Sequence, residues 1–270
     1  MNTVKRGGKL LSSEIRKYFT SFYLFNDYST TKKDLVGKND MTYGAGSPSL
    51  AYGSDGLGEK FDGSKYLVNT SIASPITVVP SFMFIHTSMS KTDTSAFHLM
   101  TFGSLTAGRD QVYIDRLQFG GARIVGNIYY ANLVAPNDIS YTFASKNNSH
   151  YNNTVVFSNR SDALGSKKTF VNGQKCDQEQ SRTTSHSGPL EVVSIGGGIA
   201  GTRPFVGIIY SAGWGTGNVN DGFFKRLSEN PNEVIFQKKR SLLKTSAASS
   251  LIKFRKTFSS LGTKIGSRGA

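Results

Sequence analysis

Short runs of β-branched and aromatic residues, separated by turns rich in glycine and asparagine, recur along most of the chain. Such runs predict β-strands, because branched and aromatic side chains pack well on a pleated surface. The predicted strands are 18–25, 66–68, 76–87, 97–102, 111–118, 123–130, 139–144, 153–158, 168–171, 192–195 and 205–212. Many short strands with scarcely any helix predict an all-β fold, a two-sheet antiparallel jelly-roll sandwich.

Two local signals refine this pattern. Asn172-Gly173 lies between two short strands, and this dipeptide favours the positive φ angles of a two-residue hairpin turn. Pro80 falls inside the nearly continuous apolar run 76–87. A proline cannot donate to a sheet ladder, so Pro80 indicates a bend or a sheet edge.

A single short helix is predicted to close the body. Asn220 or Asp221 can cap its first turn, and the helix should continue to about Ser228. Pro231 is predicted to stop it, because proline lacks the backbone N–H that a helix interior needs.

Charge divides the chain into a nearly neutral body and two basic arms. The net charge is +14, and residues 238–270 carry nine Lys or Arg and no acidic residue. Residues 1–17 add a charge of +4, which leaves only +1 for residues 18–237. We therefore predict a basic N-terminal arm, a sandwich body and a basic C-terminal arm with these three ranges. Such arms suit an acidic partner surface, although they can also serve only to keep a protein in solution.

The C-terminal arm contains a predicted linker, 241–250, and a predicted amphipathic helix, 251–261. Its apolar residues are spaced by three and four positions, which places them on one helical stripe. This helix can dock on another subunit or pack on its own body. The predicted anchoring residues are Lys238, Lys239, Arg240, Leu251, Phe254, Arg255 and Phe258.

The sequence does not show the residue patterns of common catalytic or metal sites. Glycoside cleavage needs two carboxylates at a set separation, and Asp110 and Asp115 fall on opposite faces of any regular strand. The single cysteine, Cys176, excludes a cysteine-rich zinc site, and the four histidines form no ligand pair. We therefore expect no enzyme activity, no cofactor and no metal. Calcium could be held only by loop carboxylates such as Asp62, Asp93 and Asp138, which also look like ordinary turn residues.

Several motifs, taken in order, resemble laminin-G-like and concanavalin A-like jelly-roll domains. Asp-Leu-x-Gly-Lys-Asn is followed some 25 residues later by Phe-Asp-Gly-Ser-Lys-Tyr-Leu, and the later segments resemble that family's hairpin and closing strands. Arg6-Gly7-Gly8 and the end of the body resemble domains of this kind in bacteriophage particles. The motifs lie at 34–39, 61–67, 170–173, 195–198, 203–210, 227–231 and 234–236.

The resemblance covers about residues 18–237 and implies a two-sheet sandwich of the type often used to bind carbohydrate or protein. Gly213-Trp214-Gly215-Thr216-Gly217 departs from the family's pattern, and the tail after residue 240 has no counterpart in it. No secretion signal is recognised, and no run approaches the roughly 20 apolar residues of a membrane span.

We therefore expect a non-enzymatic structural component of a virion, made in the host cytoplasm. It would be a capsid decoration or a head or tail appendage, present in several copies and anchored on other virion proteins by its basic arms. The alternative is a glycan-binding adhesin that attaches to the host surface, with Tyr129, Tyr130 and Trp214 as candidate sugar contacts. Nucleic acid is ranked last as a partner, because the body contains no recognisable nucleic-acid module.

Overall fold

The computed structural model describes residues 5–6, 9–73, 82–89, 97–104, 109–117, 123–130, 138–144, 154–161, 167–171, 173–175, 190–199, 201–215 and 219–237. The chain divides into a unit that ends at Phe236 and a second unit, of which only Gln237 is described. No helix within the described ranges is both long enough and apolar enough to cross a membrane.

Eighteen strands and three helices make up the described structure. In chain order the strands are β1 (Lys5–Arg6), β2 (Lys9–Leu10), β3 (Ser21–Leu24), β4 (Thr31–Lys32), β5 (Met41–Ala45), β6 (Leu50–Gly53), β7 (Gly56–Asp62), β8 (Tyr66–Asn69), β9 (Phe82–Met89), β10 (Phe97–Ser104), β11 (Arg109–Leu117), β12 (Arg123–Tyr130), β13 (Asp138–Ala144), β14 (Thr154–Ser161), β15 (Lys167–Val171), β16 (Gln174–Lys175), β17 (Val192–Ile195) and β18 (Val206–Gly215). The helices are α1 (Ser13–Tyr18), α2 (Asp221–Glu229) and α3 (Pro231–Ile235).

Strands β1 and β2 pair with each other, and the other sixteen described strands form two large antiparallel sheets. The first sheet has the order β13-β12-β11-β10-β17-β8-β5-β4, and the second has the order β16-β15-β14-β9-β18-β7-β6. Strand β3 joins the second sheet by pairing with β18 beyond the end of β7. The protein is therefore a β-sandwich of the jelly-roll type, which confirms the predicted fold class.

The main core lies between the two sheets. It combines residues of the first sheet, such as Leu67 and Phe102, with residues of the second, such as Ile85 and Trp214. Burying one such side chain stabilises the fold by about 1.5–3 kcal/mol relative to leaving it exposed. The core therefore accounts for the pairing of two sheets that have no disulfide between them.

A second core covers the outer face of the second sheet. Phe82 and Phe84 point from β9 into this core, whereas Met83 and Ile85 point into the main core. Both faces of β9 are thus buried over its first four residues, which explains why this half of the strand is continuously apolar rather than alternating. Helices α1, α2 and α3 supply the covering residues, including Phe224 of α2.

Helix α1 corrects the predicted start of the body. Residues 18–25 were predicted as one strand, but Tyr18 ends a helix and the strand begins at Ser21. The helix forms because the Ser12 hydroxyl accepts a hydrogen bond from the Ile15 N–H, and the Ile15 side chain is fully buried. The predicted N-terminal arm therefore includes a segment that packs on the sandwich.

The end of the body contains the predicted helix and one further helix. Helix α2 begins after Asn220, whose side chain accepts a hydrogen bond from Phe223 N–H at 2.8 Å. Helix α2 ends at Glu229, before Pro231 as predicted, and Pro231 is also the first residue of a further helix, α3, which the sequence did not predict. Its fixed φ angle and its missing N–H suit the first helical position.

Candidate functional site

A cavity of about 340 Å³ opens on the outer face of the second sheet, beside α3. We call it the outer pocket. Binding pockets for small ligands usually hold about 300–1,000 Å³, so this cavity suits a ligand at the small end of that range. Within the described part of the chain, its lining residues are Leu24, Asn26, Asp55, Leu57, His86, Tyr210, Ser211, Asn232, Ile235 and Phe236.

A β-bulge in β18 shapes the floor of the outer pocket. Ile209 pairs with Thr87 of β9, and Ser211 pairs with the preceding residue, His86. Tyr210 lies between these two pairs without a partner of its own on β9. Such a bulge shifts the in-and-out alternation of the strand by one residue. As a result Tyr210 and Ser211 both line the pocket next to His86.

His86 and Asp55 form the polar pair of the site. His86 Nε2 lies 2.7 Å from Asp55 Oδ2, and because a carboxylate only accepts, Nε2–H is the donor. The His86 ring is tilted 42° against the Tyr210 ring, with 4.7 Å between the centroids. Asp55 lies in the β6–β7 turn, which can approach the Tyr210 ring because Gly53 has no side chain. A Cβ added at Gly53 would lie 2.0 Å from the Tyr210 hydroxyl oxygen.

Ser211 contributes a buried hydroxyl without a hydrogen-bond partner. The residue is 1% exposed, and its Oγ contacts no donor or acceptor in hydrogen-bond geometry. Burying an unpaired polar group costs about 1–3 kcal/mol, so such groups are uncommon, and each calls for an explanation such as strain, a functional role or a bound water or ion. The same observation excludes a hydrogen bond between Ser211 and His86, which an activated serine nucleophile would need.

Polar side chains at the rim and apolar side chains on the wall complete the outer pocket. Asn26 and Asn232 are exposed at the rim and offer amide donors and acceptors. Leu24 and Ile235 are buried in the wall, and Phe236 is half-buried beside them. The pocket can therefore form directed hydrogen bonds on one side and apolar contacts on the other.

A second polar cluster lies between the sheets, and we call it the Glu59 network. Lys32 Nζ lies 2.9 Å from Glu59 Oε2, and Lys65 Nζ lies 3.1 Å from Glu59 Oε1. The Lys32 contact is an ion pair that lacks hydrogen-bond geometry. Tyr43 donates its hydroxyl proton to Glu59, and Lys32 also reaches Asp27 Oδ1 at 3.2 Å. Burial and the hydrogen bond to Glu59 raise the pKa of Tyr43 well above its usual range. The side chains of Lys32 and Glu59 are fully buried, so this network can join the two sheets but cannot bind an external ligand.

Trp214 is not an exposed sugar contact, so that prediction was wrong. It is 1% exposed and packs in the main core, with ring centroids 5.7 Å from Tyr23 and 5.3 Å from Phe102. Gly213 and Gly215 on either side of it are part of strand β18. The bulge at Tyr210 is what directs Trp214 inward.

The other predicted contacts stay predictions. Tyr129 and Tyr130 end β12 and pair in register with Tyr113 and Val112, but their side chains lie outside the described part of the structure. The predicted anchoring residues also lie outside the described residues. They are Lys238, Lys239, Arg240, Leu251, Phe254, Arg255 and Phe258.

The described residues contain no group of three or more His, Cys, Asp or Glu side chains placed to hold a metal ion. Asp62, a calcium candidate from its sequence, instead accepts hydrogen bonds from the Ser64 N–H and hydroxyl. These bonds lower the pKa of the Asp62 carboxyl. Asp93 lies outside the described residues, and Asp138 begins β13 with only its backbone described.

Sequence reasoning missed His86 and Ser211. The four histidines looked scattered, and Ser211 looked like one polar position within an apolar strand. A topology that pairs β9 with β18 would have placed these two residues on adjacent strands. The bulge would still have been needed to place both on the outer face.

No protein-family model and no curated protein matches the sequence. Solved structures do match the fold. Domain 4 of an extracellular arabinanase from Geobacillus stearothermophilus, in complex with arabinotriose, is 12% identical, with a TM-score of 0.58 over 78% of this chain and 98% of that chain. Trypanosoma rangeli sialidase in complex with sialic acid is 10% identical, with a TM-score of 0.56 over 87% of this chain and 36% of that chain.

The ligand-binding domain of botulinum neurotoxin serotype D, in complex with N-acetylneuraminic acid, is a third match. It is 10% identical, with a TM-score of 0.57 over 80% of this chain and 52% of that chain. This chain therefore spans about half of the toxin domain and about a third of the sialidase. At these identities the likeness shows the β-sandwich fold alone.

Proposed function

We propose that the protein binds carbohydrate and that the outer pocket is its binding site. The observation that carries this proposal is the buried hydroxyl of Ser211, which lies without a partner in a small pocket. A ligand that supplies the missing hydrogen bond would remove the cost of this unpaired group. A hydroxyl both donates and accepts, and so does each hydroxyl of a sugar.

The rest of the outer pocket suits the same ligand class. Sugars present hydroxyl groups at their edges and C–H groups on their faces, so they need both polar and apolar contacts. Asn26, Asn232 and Asp55 can serve the hydroxyl groups, whereas Leu24 and Phe236 can contact the C–H face. The fold supports the proposal as well, since the matching domains include structures in complex with arabinotriose and N-acetylneuraminic acid.

Binding rather than catalysis is part of the proposal. Ser211 and His86 are neighbours on adjacent strands, but no hydrogen bond joins them, so the serine is not activated by the histidine. A virion component with basic arms stays a prediction from the sequence. If such a component recognised a sugar in the outer pocket, its role would be attachment to the host surface.

The test compares two variants that each remove one buried hydroxyl without a partner. Ser211→Ala removes it from the outer pocket, and Thr101→Val removes it from β10, away from the pocket. The full chain and both variants are screened on a glycan array and titrated with the best-bound glycan. Ser211→Ala should weaken binding about tenfold, or about 1.4 kcal/mol, because a sugar hydroxyl loses its partner. Thr101→Val should bind as the unmodified chain does.

Circular dichroism and thermal unfolding establish that both variants are folded. Each variant loses an unpaired buried hydroxyl, so neither should be less stable than the unmodified chain. The proposal fails if no glycan binds above background. The outer pocket is the wrong site if the two variants bind equally well.

A further inference from the structure

We infer that the outer pocket continues onto the exposed ring of Tyr52, so that the site binds an oligosaccharide rather than a single sugar; this inference rests on the proposed carbohydrate function. Tyr52 lies in β6, the last described strand of the second sheet. It is 82% exposed, and Tyr28 is the only other exposed large apolar residue within the described part of the chain. Most of the Tyr52 ring is therefore in contact with water and open to a ligand.

The hairpin that carries Tyr52 folds over the floor of the outer pocket. A two-residue turn that contains Asp55 joins β6 to β7, and Asp55 accepts a hydrogen bond from His86 of β9. Strand β18 lies between β7 and β9 in the sheet, so the turn crosses the outer side of β18. The hairpin also lies close to the floor through its glycines, since a Cβ added at Gly58 would lie 2.8 Å from Tyr210 Cδ1. These contacts hold the hairpin in place as one wall of the pocket.

Tyr52 lies directly beside the pocket on this hairpin. It pairs in register with Leu57, which is one of the residues that line the pocket. Residues opposite each other on neighbouring strands point to the same face, with Cβ atoms about 4.5–5.5 Å apart. A ligand that extends out of the pocket across Leu57 therefore reaches the Tyr52 ring next.

An aromatic ring in this position suits a second sugar unit. The ring offers a flat apolar surface for the C–H face of a sugar, and the Tyr52 hydroxyl can donate or accept at its edge. Covering these two apolar surfaces removes them from water, which favours binding in proportion to the area covered. In this arrangement the cavity of about 340 Å³ holds the end of the oligosaccharide, and Tyr52 contacts the unit outside it.

The experiment compares chain lengths by calorimetric titration of the full chain. The probes are the glycan that binds best on the array beside the monosaccharide at its free end, with arabinotriose beside arabinose as a second pair. The unmodified chain should bind the oligosaccharide of a pair about tenfold more tightly than the monosaccharide, because the ring contacts only the longer ligand. Tyr52→Ala should abolish this difference and leave the affinity for the monosaccharide unchanged. Tyr52→Phe keeps the face of the ring and should preserve the difference.

Tyr28→Ala is the matched control, because Tyr28 is 71% exposed but does not line the pocket. It should bind both members of each pair as the unmodified chain does, and thermal unfolding should show that neither exposed tyrosine is needed for the fold.

Four results would overturn the inference and leave carbohydrate binding standing. The first is equal affinity of the unmodified chain for both members of each pair, and the second is an equal loss in Tyr28→Ala and Tyr52→Ala. The third is weaker binding of the monosaccharide by Tyr52→Ala, and the fourth is a loss in Tyr52→Phe as large as that in Tyr52→Ala. The absence of binding to every glycan would overturn the proposed function and this inference together.

Discussion

Replacing Glu59 with glutamine should destabilise the fold more than any single change on the surface. Glu59 is the negative centre of the Glu59 network, and Lys32 and Lys65 each lie within about 3 Å of its carboxylate. The substitution preserves the shape of the side chain and removes its charge. Two buried ammonium groups then lose their shared counter-ion.

The size of the expected loss of stability follows from the two lysine–Glu59 distances and from the burial of these side chains. With an effective dielectric constant of about 20, each contact supplies about 5 kcal/mol of attraction. Desolvation offsets much of it, since taking an ion out of water costs several kcal/mol. Removing the Glu59 charge abolishes the attraction, but the two lysine ammonium groups stay buried and their desolvation cost remains. We expect a loss of about 3–5 kcal/mol in the free energy of unfolding, out of the roughly 5–15 kcal/mol usual for a domain.

Urea unfolding at neutral pH measures this loss, with Lys33→Gln as the matched control. Lys33 pairs with Asp40 on the surface, with side chains 61% and 37% exposed, so its replacement should cost less than about 1 kcal/mol. Adding Lys65→Met to Glu59→Gln should recover part of the stability, because it removes the buried ammonium group that loses its carboxylate partner, whereas Lys32 still has Asp27. A loss below about 1 kcal/mol for Glu59→Gln would refute the reasoning, as would a double variant less stable than Glu59→Gln alone.

Two further changes test the sandwich and its helical cover. The pKa of Tyr43 is raised in the folded state. Its contribution to the free energy of unfolding is therefore complete below about pH 10 and declines as the pH rises further. Unfolding measured across this range should show stability falling with pH, and Tyr43→Phe should make the decline shallower; an equal slope would contradict the prediction. Asn220→Ala removes the cap of α2 and should cost about 1 kcal/mol in urea unfolding, and an unchanged midpoint would count against the capping bond.

The strands and turns could be predicted because they depend on short-range chemistry. Strand β12 begins and ends where its apolar pattern predicts. Gly173 adopts a φ of +77° next to Asn172, as the Asn-Gly pair predicts for its turn. Asn220 caps α2 through its own side chain. Each of these features is determined by residues that lie within a few positions of one another.

The buried charges could not be predicted, because their stability depends on contacts distant in the sequence. Lysine and glutamate are almost never fully buried unless they are paired, so each of them alone indicates the surface. Lys32 and Glu59 come from different sheets and meet only after the sandwich has formed. Helix α1 could not be predicted for the same reason, since Ile15 is buried in a core with residues that follow it by some 200 positions.

The outer pocket depends on one residue of register in β18. Strict alternation from Ile209, which faces the main core, would direct Ser211 inward and Trp214 outward. The bulge at Tyr210 reverses both, so that the indole completes the core and Ser211 lines the pocket. The small residues Ser211, Ala212 and Gly213 tolerate either face, so the local pattern favours neither register. The choice follows from the indole, which buries far more apolar area between the sheets than a serine would, and the unpaired hydroxyl on the outer face is a consequence of that choice.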